Sequence, residues 1–145
     1  MSVGELESVR ITRLFNASPE QVFEAWVDPD ILRRWLAPKV EVDARVGGHL
    51  RLEVSKPEGT HVVTGVYREL VPGQHIMMTW VYAGPMGSAD KMEASLTVDF
   101  HKRGPATEIE LRHDHLTNPV YRDTIQSGAW TRAFDELGKV LSSAA

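Results

Sequence analysis

The chain contains no cysteine. That absence removes disulfide staples, thiolate nucleophiles, zinc–thiolate sites and iron–sulfur clusters, and it makes a reducing compartment the simplest setting. No apolar run approaches the roughly 20 residues that cross a bilayer. The first residues, MSVGELESVR, carry acids where a signal peptide carries basic and then greasy segments. A cytoplasmic protein that neither spans a membrane nor is exported is therefore expected. An excess of positive charge is also missing: 16 Lys and Arg against 20 Asp and Glu leave a net charge of −4, so nucleic acid is not an expected partner. There is no Gly-x-Ser-x-Gly elbow, no His-Glu-x-x-His helix and no dinucleotide fingerprint, which sets aside serine hydrolase, zinc protease and Rossmann readings. Gly47-Gly48 lacks the lysine and the strand-to-helix context of a phosphate loop and reads as a turn.

What is present is enough for one domain over residues 1–145, with 42% apolar residues, four Trp and five Met. Residues 7–15 alternate, placing Val9, Ile11, Arg13 and Phe15 on one face of a strand. Ser18-Pro19-Glu20-Gln21 has the cap, first-turn proline and third-position glutamine of a helix start, and Asp28-Pro29 ends that helix and opens a second. After Pro38 the texture becomes strand and turn. Six strands are predicted, at 39–46, 49–56, 61–71, 75–82, 92–101 and 107–115, joined by loops short enough for antiparallel neighbours. Asn118-Pro119 opens a long last helix with Trp130, Phe134, Leu137 and Leu141 in one apolar stripe. The expected fold is α+β: a seven-stranded antiparallel sheet wrapped around a long C-terminal helix, with two short helices after the first strand.

Several runs carry a family likeness over nearly the whole chain. They are Ser18 to Trp26 with Asp28-Pro29 and Arg34-Trp35, then Asp43 to Gly48, then Gly65-Val66-Tyr67-Arg68-Glu69, then Thr79-Trp80. In these the chain resembles the activator-of-heat-shock-protein ATPase homologues, members of the START-like (SRPBCC) helix-grip superfamily. The resemblance implies a cavity between sheet and terminal helix that takes lipids, hormones or polyketides and occasionally supports catalysis. It also suggests a co-chaperone-like interaction role, although in larger relatives that action uses a further domain. One departure stands out. Many relatives have Gly-Trp in the last helix where this chain has Gly128-Ala129-Trp130, and one extra residue turns the tryptophan by about 100° around an α-helix.

Strand parity gives an independent reading of the concave face. His113 and His115 fall with Ile109 and Leu111; Leu50 and Leu52 fall with Val54; Met78, Trp80 and Tyr82 fall with Ile76. His113 and His115 are candidates for acid–base work or hydrogen bonding to a ligand, against the plainer reading of a wall residue followed by a solvated strand end. Metal binding would need a third ligand that no spacing supplies, so neither metal nor cofactor is expected. Arg13 cannot sit unpaired among apolar side chains. It either pairs with an acid such as Glu69 or Asp43, is exposed at the strand end, or holds an anionic ligand, in which case it would act beside His113. Tyr67, Met78, Trp80, Tyr82, His115, Trp130, Phe134, Leu50 and Leu52 are the candidate walls for a small hydrophobic or aromatic molecule. Binding of such a molecule is the expected function. A cofactor-independent cyclase, hydratase or proton-transfer enzyme in the same cavity is the alternative, and exposed strand edges leave room for a homodimer.

Overall fold

The structure, a computed structural model, describes residues 8–85, 92–116 and 119–143. Its elements follow the expected order: β1 (Val9–Phe15), α1 (Pro19–Glu24), α2 (Pro29–Trp35), β2 (Lys39–Val42), β3 (His49–Lys56), β4 (Gly59–Val71), β5 (His75–Ala83), β6 (Met92–Arg103) and β7 (Ala106–Asp114). A C-terminal helical run closes the chain as α3 (Pro119–Thr124), a π-turn over Ile125–Ala129, and α4 (Trp130–Ser143). The Gly84–Asp90 loop, apart from Gly84 and Pro85, lies outside the described residues, as does Asn118.

All seven strands form one antiparallel sheet in the order β1-β7-β6-β5-β4-β3-β2. The second strand is shorter than its pattern suggested. After Val42 the chain turns, with Arg45 N–H donating to Asp43 O and Gly48 N–H to Arg45 O, which ends the ladder four residues early. The two short helices start as their sequences specify. Ser18 Oγ accepts from Gln21 N–H at 3.2 Å while the Gln21 side chain accepts from Ser18 N–H at 3.1 Å, and Asp28 accepts from Asp30 N–H at 2.8 Å.

The inward face of the sheet carries Leu50, Leu52, Tyr67, Ile76, Met78, Trp80, Tyr82, Leu96, Val98, Phe100, Ile109, Leu111 and His113, all buried. Trp130, Phe134 and Leu137 descend onto it from α4. The long last helix is kinked rather than straight: Gly128 has φ +117°, outside the helical region, within the π-turn. A π-turn accommodates one more residue than an α-turn, so the segment holding the extra residue of Gly128-Ala129-Trp130 absorbs it locally. Trp130 therefore stays on the buried face, where a straight α-helix would have rotated it by about 100°.

Candidate functional site

The core of the site is a continuous aromatic cluster between β4–β7 and the C-terminal helix. Trp130 packs against Trp26, Trp80 and Phe134 with ring centroids 5.8, 5.5 and 5.9 Å apart. Tyr82 stacks on Tyr121 of α3 at 4.4 Å, and Trp80 Nε1 donates to Tyr121 Oη at 2.8 Å. Burial in these surroundings raises the Tyr121 phenol to about 12 and pushes Tyr67 higher still, so both are protonated at any ordinary pH. Tyr67 Oη makes a long 3.4 Å bond to Trp26 O.

Within this cluster sits His113, with no solvent exposure. Trp130 Nε1 donates to its Nδ1 at 3.1 Å. An indole nitrogen is a donor only, so Nδ1 must be the accepting nitrogen and the ring proton must lie on Nε2. Burial lowers the imidazole to about 3, with the Asp114 charge acting weakly the other way, so the ring is neutral at physiological pH. Its Nε2–H points into the interior and has no hydrogen-bond partner among the described residues. Trp26 Nε1, also a donor and on a ring packed against Trp130, is in the same condition.

Other candidates fall elsewhere. His115 does not continue the inward row: β7 ends at Asp114, His115 takes φ +63°, and its side chain is exposed while Leu116 turns in. The left-handed residue breaks the alternation that parity assumed. Arg13 pairs with neither Glu69 nor Asp43. It reaches Asp135 of α4 at 2.9 Å, with the two side chains 30% and 58% exposed. Glu69 is engaged instead by His75 and Asp43 by Arg45. The reason is topological: β1 is an edge strand, and α4 packs across it. Leu50 and Leu52 are buried on β3, four strands from His113 in the sheet order. Met78, Trp80, Tyr82, Tyr67, Trp130 and Phe134 join one core.

Two polar residues near Tyr82 were not foreseen. His61 Nδ1 lies 2.7 Å from Tyr82 Oη, and His61 Nε2 lies 2.9 Å from Glu58 Oε2. Parity along β4 carries the signal, because His61 shares a face with Tyr67. Among the described residues no cluster of three or more His, Cys, Asp and Glu could hold a metal ion, and no helix is long and apolar enough to cross a membrane.

Comparison with solved structures returns the same architecture. Protein CV1439 from Chromobacterium violaceum is 25% identical, with a TM-score of 0.77 over 93% of this chain and 97% of that one. NE0264 from Nitrosomonas europaea is 16% identical, with a TM-score of 0.79 over the full length of both chains. CalU16 from Micromonospora echinospora is 23% identical, with a TM-score of 0.73 over 93% of this chain and 76% of that one. No functionally curated protein matches the chain. Residues 16–142 match the family described as Activator of Hsp90 ATPase homolog 1-like protein. With that match spanning the helix pair, the sheet from β2 onward and the C-terminal helix, the chain belongs to this family and has its helix-grip fold.

Proposed function

We propose that the protein binds a small, flat, apolar or aromatic molecule bearing a neutral carbonyl oxygen, between the sheet and the C-terminal helix. The observation that carries this reading is the buried Nε2–H of His113, which has no partner among the described residues. A buried donor left unpaired costs about 1–3 kcal/mol, and a ligand acceptor would recover that. The second unpaired group, Trp26 Nε1, is again a donor, so the interior asks for acceptors. A neutral acceptor fits better than an anion, because Arg13, the cation of the inward row, is committed to Asp135 at the surface and an uncompensated charge is costly in an apolar interior.

The same hydrogen-bond polarity argues for binding over catalysis by His113. With Nδ1 occupied by Trp130 and Nε2 carrying the proton, the ring has no lone pair to take a proton from a substrate. His113 serves this reading as a donor, Trp80 and Trp130 as the apolar faces, and Arg13 as a strut between β1 and α4. The expected cytoplasmic setting belongs to the same proposal.

The test compares acetophenone with ethylbenzene, which has a similar shape and no acceptor. Acetophenone is expected to raise the thermal midpoint more than ethylbenzene in the native protein. That advantage should vanish in His113→Leu and persist in His113→Gln, whose amide can accept from Trp130 and donate to the ligand. About tenfold in affinity is at stake. Equal stabilisation by the two compounds in the native protein would overturn the reading.

A further inference from the structure

The two edge strands of the sheet, β1 and β2, are protected very differently. β2 spans four residues, follows Pro38 and carries exposed Lys39 and Glu41, the short length and the residue types that discourage strand addition. β1 has none of these devices. Its seven residues include no proline, glycine or lysine, and its register against β7 runs unbroken from Val9 to Phe15. Among the described residues no backbone bond outside the sheet's own ladders reaches it, so the N–H and C=O groups of its outer edge are free to pair.

We propose that β1 pairs antiparallel with β1 of a second copy of this chain, about a two-fold axis through Thr12, and joins the two seven-stranded sheets into one. Thr12 is the midpoint of the strand, so this register matches all seven residues of each copy. It sets Val9 opposite Phe15, Arg10 opposite Leu14 and Ile11 opposite Arg13, while Thr12 meets its own counterpart. Residues directly opposite each other share a face of an antiparallel pair, so the inward row of one copy continues that of the other. No arginine stands opposite an arginine. Centring the pair on Arg10 or Arg13 instead would oppose like charges and leave strand ends unmatched.

The side chains suit this joint. Leu14 is 56% exposed, and the stem of the partner's Arg10 covers it. Arg10 has no ion pair among the described residues, and its neighbour within its own sheet is Arg112, which Asp114 holds. Across the joint the charges complement each other. Leu14 lies between the partner's Arg10 and Glu108 of β7, two strand spacings or about 10 Å in all, a gap that an arginine and a glutamate close between them. Arg103 meets Glu108 through one oxygen, and the carboxylate has a second to give. Room for the incoming strand exists at its more crowded end: a groove of about 690 Å³ lies between Leu14, Phe15 and Asn16 and the α4 residues Asp135, Lys139 and Ser142. Arg13 keeps its bond to Asp135, so neither copy gives up a contact.

Sedimentation equilibrium of the full chain is expected to show a dimer that dissociates on dilution. Thr12→Lys tests the edge. Thr12 is exposed and stands opposite Glu110 of β7, so the dilute variant should melt at the native midpoint, while two lysines meeting at the axis weaken the dimer about fivefold. Cysteine tests the register, because the chain has none of its own and any disulfide must join two copies. Thr12→Cys should cross-link on mild oxidation, since directly opposed residues stand about 4.5–5.5 Å apart between Cα atoms, within reach of a disulfide. Leu14→Cys should not, because its counterpart lies four residues away along the strand. A single chain at every concentration overturns the proposal. So does a dimer that Thr12→Lys leaves as tight, or a Leu14→Cys protein that cross-links as fast as Thr12→Cys.

Discussion

At the scale of single residues, His113 is the side chain whose behaviour departs most from an ordinary histidine. Its ring is neutral when folded down to about pH 3 but titrates near 6.5 in an unfolded chain. Above that unfolded value it adds no pH dependence. As pH falls from about 6.5 toward 3 the unfolded state takes up the proton first, and stability declines by about 1.4 kcal/mol per unit. Urea melts across this window should show that decline in the native protein and lose most of it in His113→Leu. At neutral pH the Leu variant exchanges one unpaired buried donor, His113 Nε2–H, for another, Trp130 Nε1–H, so its stability there is expected to stay within about 1 kcal/mol of the native protein. The Arg13–Asp135 pair is exposed by comparison, and Asp135→Ala should cost no more than about 1 kcal/mol in the same melts. Parity alone placed His113 in the interior and Arg13 on the inward row. It could not place Asp135 opposite Arg13, 122 positions away, and it failed at His115, where one left-handed residue reverses the faces.

Among the elements, the first short helix is specified almost entirely by local chemistry: cap, proline and glutamine all do what their spacing implies. Ser18→Ala should cost about 1 kcal/mol, since it removes the hydroxyl that accepts from Gln21 N–H. The C-terminal helix is the opposite case. Its apolar stripe was legible, but its break was visible only as an extra residue, and a periodicity argument has no means of turning an insertion into a π-turn. The +117° φ of Gly128 has a direct consequence. Gly128→Ala forces a side chain into left-handed backbone and against Arg132 Nη1 at 3.3 Å, with an expected loss of about 1–2 kcal/mol. Because the kink sets how Trp130 meets His113, a shift in tryptophan emission should accompany the drop in thermal midpoint. An unchanged midpoint and spectrum would mean the helix can straighten without penalty.

Over the whole molecule, the sheet has two faces with opposite responses to pH. On its outer face, burial acts to lower His75, but the hydrogen bonds and charges of Asp99 at 2.6 Å and Glu69 at 3.2 Å outweigh it and raise the imidazole above its ordinary value. That contribution is fully present below the unfolded value and is lost as pH rises through the raised folded value. His113 penalises acid and His75 favours it, so replacing His75 by Gln should flatten the alkaline side of the stability profile and leave the acid side alone. The sheet, its strand count and the crossing helix were readable from turn signals and alternation, because each strand is short and each loop abrupt. The polar wiring inside was not. His61 with Glu58, and Trp130 with His113, are partners only once the sheet has curled and the helix has closed over it.

The tryptophans have an optical consequence of their own. Trp35 lies 4.9 Å from Trp26, Trp26 lies 5.8 Å from Trp130, and Trp130 lies 5.5 Å from Trp80, so all four indoles of the chain form one unbroken file through the interior. Rings this close share excitation. The protein should emit as a single coupled chromophore with strong near-ultraviolet dichroism, and an absorber placed beside any one indole should dim the whole file.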